Sequence, residues 1–187
     1  MIYFDSRYLS EILEINPSRW KRWAREFLEP DPLGGYQSGY ARQFSPKDAF
    51  RVFLGGHLVG EQKFSISDAR KIIGDLDPWM KKNGFYALPD TNRLDDRIAR
   101  HLYIYSQPDN KITYCVRTIQ NLQSASGSGL WTECYALELI GATSEPLSEG
   151  LVSHARILLI DQLYAYFIER VTASAVESQQ GTEAHSS

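Results

Sequence analysis

The spacing of the apolar residues changes near the middle of the chain. From residue 8 to about residue 75 they recur every three or four positions between short polar breaks, which is typical of several short helices. From about residue 101 to residue 140 apolar, β-branched and aromatic residues alternate instead, in three runs joined by turn-forming segments, which indicates antiparallel strands. The sequence therefore predicts an α+β chain whose helices come first.

Two short helices are predicted near the N-terminus. Tyr8–Ile15 places its apolar side chains on one face, and Asn16 and Pro17 then form the cap and first position of a second helix. This second helix is predicted to end at Phe27. Its inward-facing aromatic residues are Trp20, Trp23 and Phe27. The short link between the two helices predicts a helix-turn-helix arrangement.

The outer face of the second helix is basic. Its cationic residues are Arg19, Lys21, Arg22 and Arg25. Two short helices joined by a tight turn, the second with a basic outer face, are the form of a DNA-reading helix-turn-helix. A charged helix face that is merely solvated is the alternative interpretation for each of these residues.

A glycine-rich segment follows and predicts a β-wing. It extends from Gly34 to Phe44, and its Tyr36, Tyr40 and Arg42 are candidates for contacts with phosphate groups. Further helices are predicted after it, one beginning at Ser45-Pro46 and one at Ser67-Asp68. With the first two helices, these elements make residues 1–76 a predicted winged helix-turn-helix domain.

Four segments of this domain, in order, resemble the MerR-type winged helix-turn-helix family. INPSRWKRWAREFLEP at 15–30 is similar to V-S-x-x-T-[IL]-R-x-[YW]-E-x-x-G-L-x-P, and Ser38-Gly39-Tyr40 followed by Arg42 resembles the family's wing. FSPKD at 44–48 is similar to Y-S-x-x-D, and KFSISDARKII at 63–73 to G-F-S-L-x-E-I-x-x-I-L. The resemblance covers about residues 8–73.

This resemblance implies a DNA-binding role for the N-terminal part. It implies that Lys21 and Arg22 lie at the DNA groove and that Arg19 and Arg25 contact the backbone or base edges. Tyr40 and Arg42 would be wing contacts to phosphate. The dimerisation and effector coupling of the family are not carried over, because its long coiled-coil helix is not evident after residue 75.

A linker with a short helix is predicted over residues 77–98, and a second domain over 99–175. This domain comprises a three-stranded antiparallel meander and one long helix over Ser148–Val171, followed by a disordered tail at 176–187. The strand candidates are His101–Ser106, Lys111–Leu122 and Leu130–Ile140. Because the helix is apolar nearly all round, it must be covered on several sides. A second subunit and the core of the same chain are the two candidates for this cover.

The predicted second domain is rich in aromatic residues, and it is assigned to dimerisation or to sensing. A pocket for a small-molecule effector between sheet and helix is one interpretation, and an ordinary core with a dimer interface is the other. Cys115 and Cys134 lie on candidate neighbouring strands, so a thiol sensor is an alternative to two structural thiols.

Charge and motif content limit the classes of function. The net charge is −3, but residues 1–85 carry 13 basic and 11 acidic residues, a balance that permits nucleic-acid binding there. The chain has no apolar run of about 20 residues and no signal peptide, so a cytoplasmic protein without a membrane partner is expected. Its histidines are scattered, and no nucleophile–base pair or phosphate-binding glycine motif occurs. We therefore expect no metal site, no cofactor and no enzymatic activity.

The sequence thus predicts a dimeric, sequence-specific transcription regulator that binds double-stranded DNA. One alternative is an architectural or recombination-directionality factor that uses the same motif to bend DNA. An alternative of another class is a ligand-binding or protein-interaction module in which the helix-turn-helix is only a scaffold.

Overall fold

The computed structural model describes residues 3–31, 42–88, 98–106, 111–123, 131–140 and 155–183. In chain order, the elements of these ranges are β1 Phe4–Asp5, α1 Ser6–Ile12, α2 Pro17–Phe27, β2 Gln43–Phe44, α3 Pro46–Gly60, α4 Ile66–Lys82, β3 Ile98–Ser106, β4 Ile112–Gln123, β5 Trp131–Ile140, β6 Ala155–Leu159 and α5 Ile160–Glu183. The mixed α+β class predicted from the sequence is confirmed.

Side-chain caps define where the N-terminal helices begin. The Asn16 Oδ1 accepts hydrogen bonds from the backbone N–H groups of Ser18 and Arg19, at 2.9 and 3.3 Å, and starts α2 at the predicted residue. Ser45 caps α3 in the same way by accepting from the N–H of Asp48. These contacts satisfy donors that a helix leaves unpaired in its first turn. Both predicted starts are confirmed.

Two other helix starts differ slightly from the predictions. α1 begins at Ser6 rather than Tyr8, because the carboxylate of Asp5 accepts from the N–H of Tyr8 at 2.8 Å. α4 begins at Ile66 because Ser65, two residues before the predicted cap, accepts from the N–H of Asp68. In both helices the cap is a short polar side chain that accepts a hydrogen bond from the backbone N–H three residues later.

α4 continues through the Asp77-Pro78 pair at which the linker was predicted to start. The Asp77 carboxylate is bound by Arg51 Nη1 at 2.6 Å and by the hydroxyl of Tyr86 at 2.9 Å, and Trp79 beyond the proline is buried. These contacts on both sides of Pro78 offset the loss of one helical hydrogen bond. Residues 89–97 of the predicted linker lie outside the described residues.

In the part of the chain that the structure describes, the larger sheet has four antiparallel strands in the order β5-β4-β3-β6. Pairing of β3 with β4 and of β4 with β5 confirms the predicted meander, but the prediction of three strands is wrong. The fourth strand is Ala155–Leu159, which pairs with β3 so that Leu158 lies opposite Leu102. It lies at the edge of the sheet next to the first strand of the meander.

The long helix predicted over Ser148–Val171 is therefore wrong in its first part. Along β6 the buried Leu158 alternates with the exposed Ile157 and Leu159, which is the period of a strand. The helix begins only at Ile160 and extends to Glu183, into the segment predicted to be a disordered tail. Because a strand is followed directly by a helix, the combined segment has an apolar pattern on every side when it is interpreted as one helix. Residues 148–154 and 184–187 lie outside the described residues.

The contacts within the chain divide it into two compact units, Met1–Leu88 with Tyr164–Ser187, and Pro89–Leu163. The predicted second domain grouped the whole last helix with the sheet. In the structure the Tyr164 and Phe167 rings lie 4.9 and 5.3 Å from the ring of Phe50 on α3. The Tyr8 hydroxyl donates to the carbonyl of Val171 at 3.0 Å. From Tyr164 onward α5 thus completes the core of α1–α4.

The two cysteines do not form a pair. Cys134 lies opposite Gln120, five residues along β4 from Cys115. An odd separation places their side chains on opposite faces of the sheet, about 17 Å apart along the strand. The alternative of a thiol pair on neighbouring strands is therefore wrong, because register, and not strand adjacency, decides whether two side chains meet.

Candidate nucleic-acid interface

α2 lies unusually close to α3, and two glycines of α3 permit this. A Cβ atom added at Gly56 would lie 2.2 Å from Cε3 of Trp23, and one added at Gly55 would lie 2.4 Å from Cδ2 of Phe27. Real Cβ atoms do not approach other heavy atoms so closely, so a larger residue at either position would require the facing ring or α2 to move. The two glycines allow the basic helix to pack closely against α3.

α4 and β2 hold α2 from other sides. Arg70 of α4 donates from Nε to the Glu26 carbonyl at 2.9 Å and from Nη2 to the Glu26 carboxylate at 2.8 Å. The Trp20 ring is fully buried and makes an edge contact with Phe44 of β2, with ring centroids 5.8 Å apart. The aromatic side of α2 thus faces the core, as predicted, and its orientation is fixed along its length.

The opposite side of α2 carries cations without ion partners. Lys21, Arg22 and Arg25 are exposed and form no salt bridge or side-chain hydrogen bond within the described part of the chain. Lys21 and Arg25 are four positions apart, a spacing at which like charges destabilise a helix by about 0.2–0.5 kcal/mol. The helix therefore carries a charge arrangement that does not favour its own stability.

A short strand pair brings further cations to this side of α2. β1 and β2 are antiparallel, with Asp5 opposite Gln43, so the first turn of α1 lies beside the residues that precede β2. The result is an open groove of about 1230 Å³ between α1, α2 and β2. We call it the basic groove. Its charged lining residues are Arg7, Lys21, Arg25, Arg42 and Asp5.

The structure brings together some of the predicted contact residues and separates others. Lys21, Arg25 and Arg42 line the basic groove. Arg19 and Arg22 are exposed on α2 without lining it, and the Arg19 guanidinium lies 5.9 Å from the centre of the Trp23 ring. The remaining predicted residues, Tyr36 and Tyr40, lie outside the described residues.

Of the predicted wing, the structure describes only Arg42 and the two residues of β2. Its Nη2 donates to the Glu29 carbonyl at 2.9 Å, and its guanidinium lies 5.8 Å from the centre of the Phe44 ring. These contacts tie Arg42 to the segment that follows α2, and its side chain is half-buried. Because residues 32–41 are not described, the wing itself stays a prediction.

Arg7 was missed from the sequence. It stands next to the cap of α1 and 35 positions before Arg42, and only the pairing of two two-residue strands brings the two arginines to one groove. Strands this short leave no alternating pattern. Only a search for cationic residues close to predicted helix caps would have identified Arg7.

Several cations on α3 and α4 have carboxylate partners. Lys47 and Arg51 of α3 both bind Asp77 of α4, at 3.3 and 2.6 Å. Burial raises the pKa of Asp77, but hydrogen bonds from Tyr86 and Lys47 and the two positive charges outweigh it and leave that pKa below its usual value. Where this unit uses charge for packing, it therefore supplies the opposite charge.

A second exposed surface lies on the sheet. The strand register places Leu137, Leu139, Ile157 and Leu159 on one face with Tyr103 and Tyr105. Leu137 is 73% exposed and Leu139 is 50% exposed, whereas the alternate residues Leu102 and Val116 on the other face are buried. We call the first of these the apolar sheet face.

Comparison with known proteins adds no family assignment. No protein-family model matches the sequence, and a search of curated proteins finds no match. Within the described residues, no helix is long and apolar enough to cross a bilayer. The same residues contain no group of three His, Cys, Asp or Glu side chains placed to share a metal ion. The basic groove and α2 are therefore the features of the chain that bear on its function.

Proposed function

We propose that this protein binds double-stranded DNA through α2 and acts as a sequence-specific transcription regulator. The observation that supports the proposal is the set of cations from α1, α2 and the residue before β2 that line one groove and have no carboxylate partner among the described residues. Unpaired cations on one rigidly held surface are what a polyanion requires. The resemblance to the MerR-type family supports the same assignment.

The outer side of α2 is the part that enters the major groove, which is wide enough to admit one helix. Arg22 projects from the middle of that side and is our candidate for a base-edge contact, because arginine pairs bidentately with guanine. Lys21, Arg25 and Arg42 contact phosphates, which orient the helix and supply affinity that does not depend on sequence. Tyr36 and Tyr40 remain part of the proposal as wing contacts.

The proposal includes a homodimer. The apolar sheet face supports it, since exposed apolar patches of this kind mark interaction surfaces. Two copies of α2 about one DNA turn apart, roughly 34 Å, would read a palindromic site. A small-molecule effector bound in the sheet-bearing unit is a further part of the proposal, and it would act by changing that spacing.

Fluorescence anisotropy of labelled duplex DNA tests the proposal. Titrations at about 50 and 200 mM salt compare the wild type with Lys21→Ala/Arg22→Ala and with the control Lys81→Ala/Lys82→Ala. The control removes two exposed lysines from the last turn of α4, so the two variants have the same net charge. Stoichiometry of the complex, with two chains per duplex expected, tests the dimer in the same titration.

We expect the wild type to bind with an affinity that falls steeply with salt. The α2 variant should bind at least tenfold more weakly and lose about 0.9 in the slope of log affinity against log salt, because Lys21 is the one phosphate contact that it removes and each such contact contributes about 0.9. The control variant should retain the wild-type slope. An equal loss in both variants would mean that net charge alone is responsible, and no binding by the wild type at low salt would contradict the proposal.

A further inference from the structure

We propose that the basic groove binds a stretch of the DNA phosphate backbone and that Arg7 of α1 is one of the residues that contact it. This inference rests on the proposed function and adds to it a second binding surface beside α2. It also adds a residue from the helix that precedes the turn. The ligand chemistry is a phosphodiester, held by guanidinium and ammonium groups.

Geometry brings four cations to one groove from three elements. Arg7 is contributed by the first turn of α1, Lys21 and Arg25 by α2, and Arg42 by the residue before β2. Arg7 is exposed and forms no ion pair with any other described residue. Its five N–H donors lie in a plane that matches two phosphate oxygens. It is therefore as available to an anion as Lys21 and Arg25.

The single carboxylate among the described lining residues does not neutralise the groove. Asp5 accepts a hydrogen bond from the Tyr8 backbone N–H as the cap of α1 and makes no salt bridge with any described residue. Four positive side chains against one negative one leave the groove strongly positive. The hydroxyl of Ser18 at its edge is an additional donor for phosphate oxygen.

The shape of the groove favours a backbone over a free anion. At about 1230 Å³ it is open to solvent, and its cationic side chains are exposed or only half-buried, so a single small anion would stay hydrated and be held weakly. An extended polyanion contacts several of these cations at once and releases a counterion for each. The groove also adjoins the side of α2 that carries Arg22, so a strand seated in it continues along the face that we propose reads DNA.

The test measures the salt dependence of binding to a duplex of arbitrary sequence, for which phosphate contacts supply nearly all the affinity. The full chain is compared with Arg7→Ala and with Lys71→Ala, which removes an exposed cation of α4 outside the groove. We expect Arg7→Ala to lower the slope of log affinity against log salt by about 0.9 and Lys71→Ala to leave it unchanged. Because Arg7 has no structural partner, circular dichroism melts of both variants should match that of the wild type.

The outcomes separate this inference from the proposed function. If the wild type binds duplex DNA and Arg7→Ala has an unchanged slope, the groove assignment is overturned while the role of α2 stands. If the wild type binds no duplex, both fail together. Titration with inorganic phosphate in place of DNA distinguishes the source of the phosphate. Saturable, Arg7-dependent binding of phosphate at micromolar concentration, with no effect of Arg7 on DNA, would assign the groove to a free anion and overturn the inference.

Discussion

Two sets of cations in the unit that contains α1–α4 differ in what surrounds them. Arg7, Lys21 and Arg25 have no ion partner within the described residues, whereas Arg51 and Arg70 each bind a carboxylate at 2.6–2.8 Å. The paired set joins one helix to another, and the unpaired set faces a groove. The unpaired cations form no ion pair that joins two helices, so they do not contribute to packing. Charged residues on this unit therefore have two different roles. We expect binding to depend on one set and stability on the other.

The largest effect is expected from a substitution that changes both stability and DNA binding. Gly56→Ala places a methyl group against the Trp23 ring, which lies 2.2 Å from the new atom, so the ring must shift and we expect α2 to move with it. Overpacking of this kind costs about 1–3 kcal/mol, and the shift of α2 should also weaken DNA binding. Chemical denaturation and anisotropy measure the two effects.

Gly74→Ala on α4 is the matched control, because nothing lies within 4 Å of its added Cβ. Alanine is a better helix former than glycine, so this variant should gain about 0.5–1 kcal/mol and bind DNA as the wild type does. A Gly56→Ala protein as stable as the wild type would mean that α2 is not held by this contact. α2 would then be held by its other contacts, among them those with α4 and β2.

Asp77→Asn tests the paired set with a smaller expected effect. It removes the carboxylate shared by Lys47, Arg51 and the Tyr86 hydroxyl, and it should cost about 1–2 kcal/mol of unfolding free energy at pH 7 with little change in DNA affinity. Because the folded pKa of Asp77 lies below its unfolded value, its contribution is present above about pH 4 and is lost as the pH falls through the folded pKa.

Denaturation curves of the wild type and Asp77→Asn should accordingly converge as the pH is lowered from about 5 to about 2. If the difference in stability between the wild type and Asp77→Asn stays constant over this pH range, the carboxylate contributes through packing and not through its charge. A large loss of DNA affinity in the variant at neutral pH would contradict the separation of the two sets.

Arg70→Ala tests whether Arg70 belongs to the paired set or to the set that binds DNA. It has the smallest expected effect. Arg70 is 60% exposed and pairs with Glu26 on α2, so it should contribute less than about 1 kcal/mol, and less still at high salt. Its removal should leave the salt slope of DNA binding unchanged. A decrease of the slope by about 0.9 would place Arg70 on a phosphate and extend the interface from α2 to α4.

Local sequence signals predicted the helix starts best. Asn16-Pro17 and Ser45-Pro46 specify where α2 and α3 begin, because a cap needs only a short side chain and two or three backbone N–H groups that follow it. The basic outer side of α2 was predictable for the same reason, since it requires only the helical period. The fourth strand was not predictable, because the apolar pattern of Ala155–Leu159 runs without a break into that of α5.

The candidate site was predictable only where it lies on one element. Lys21 and Arg25 share α2, so their joint exposure followed from helix geometry. Arg7 and Arg42 meet only through the pairing of β1 with β2, and this depends on contacts between residues almost 40 positions apart. Likewise, nothing local indicates that Gly56 stands against Trp23.

By itself the sequence determined the α+β class, the caps and register of α2, and the presence of cations along one side of that helix, because all of these follow from residues within one or two turns of each other. Only the tertiary structure decided that α5 completes the N-terminal core, that the sheet has a fourth strand, and that Arg7 joins the cations of α2 in one groove. These features depend on which distant segments pack against each other and exclude water. Packing over the whole chain decides this, and local propensity does not.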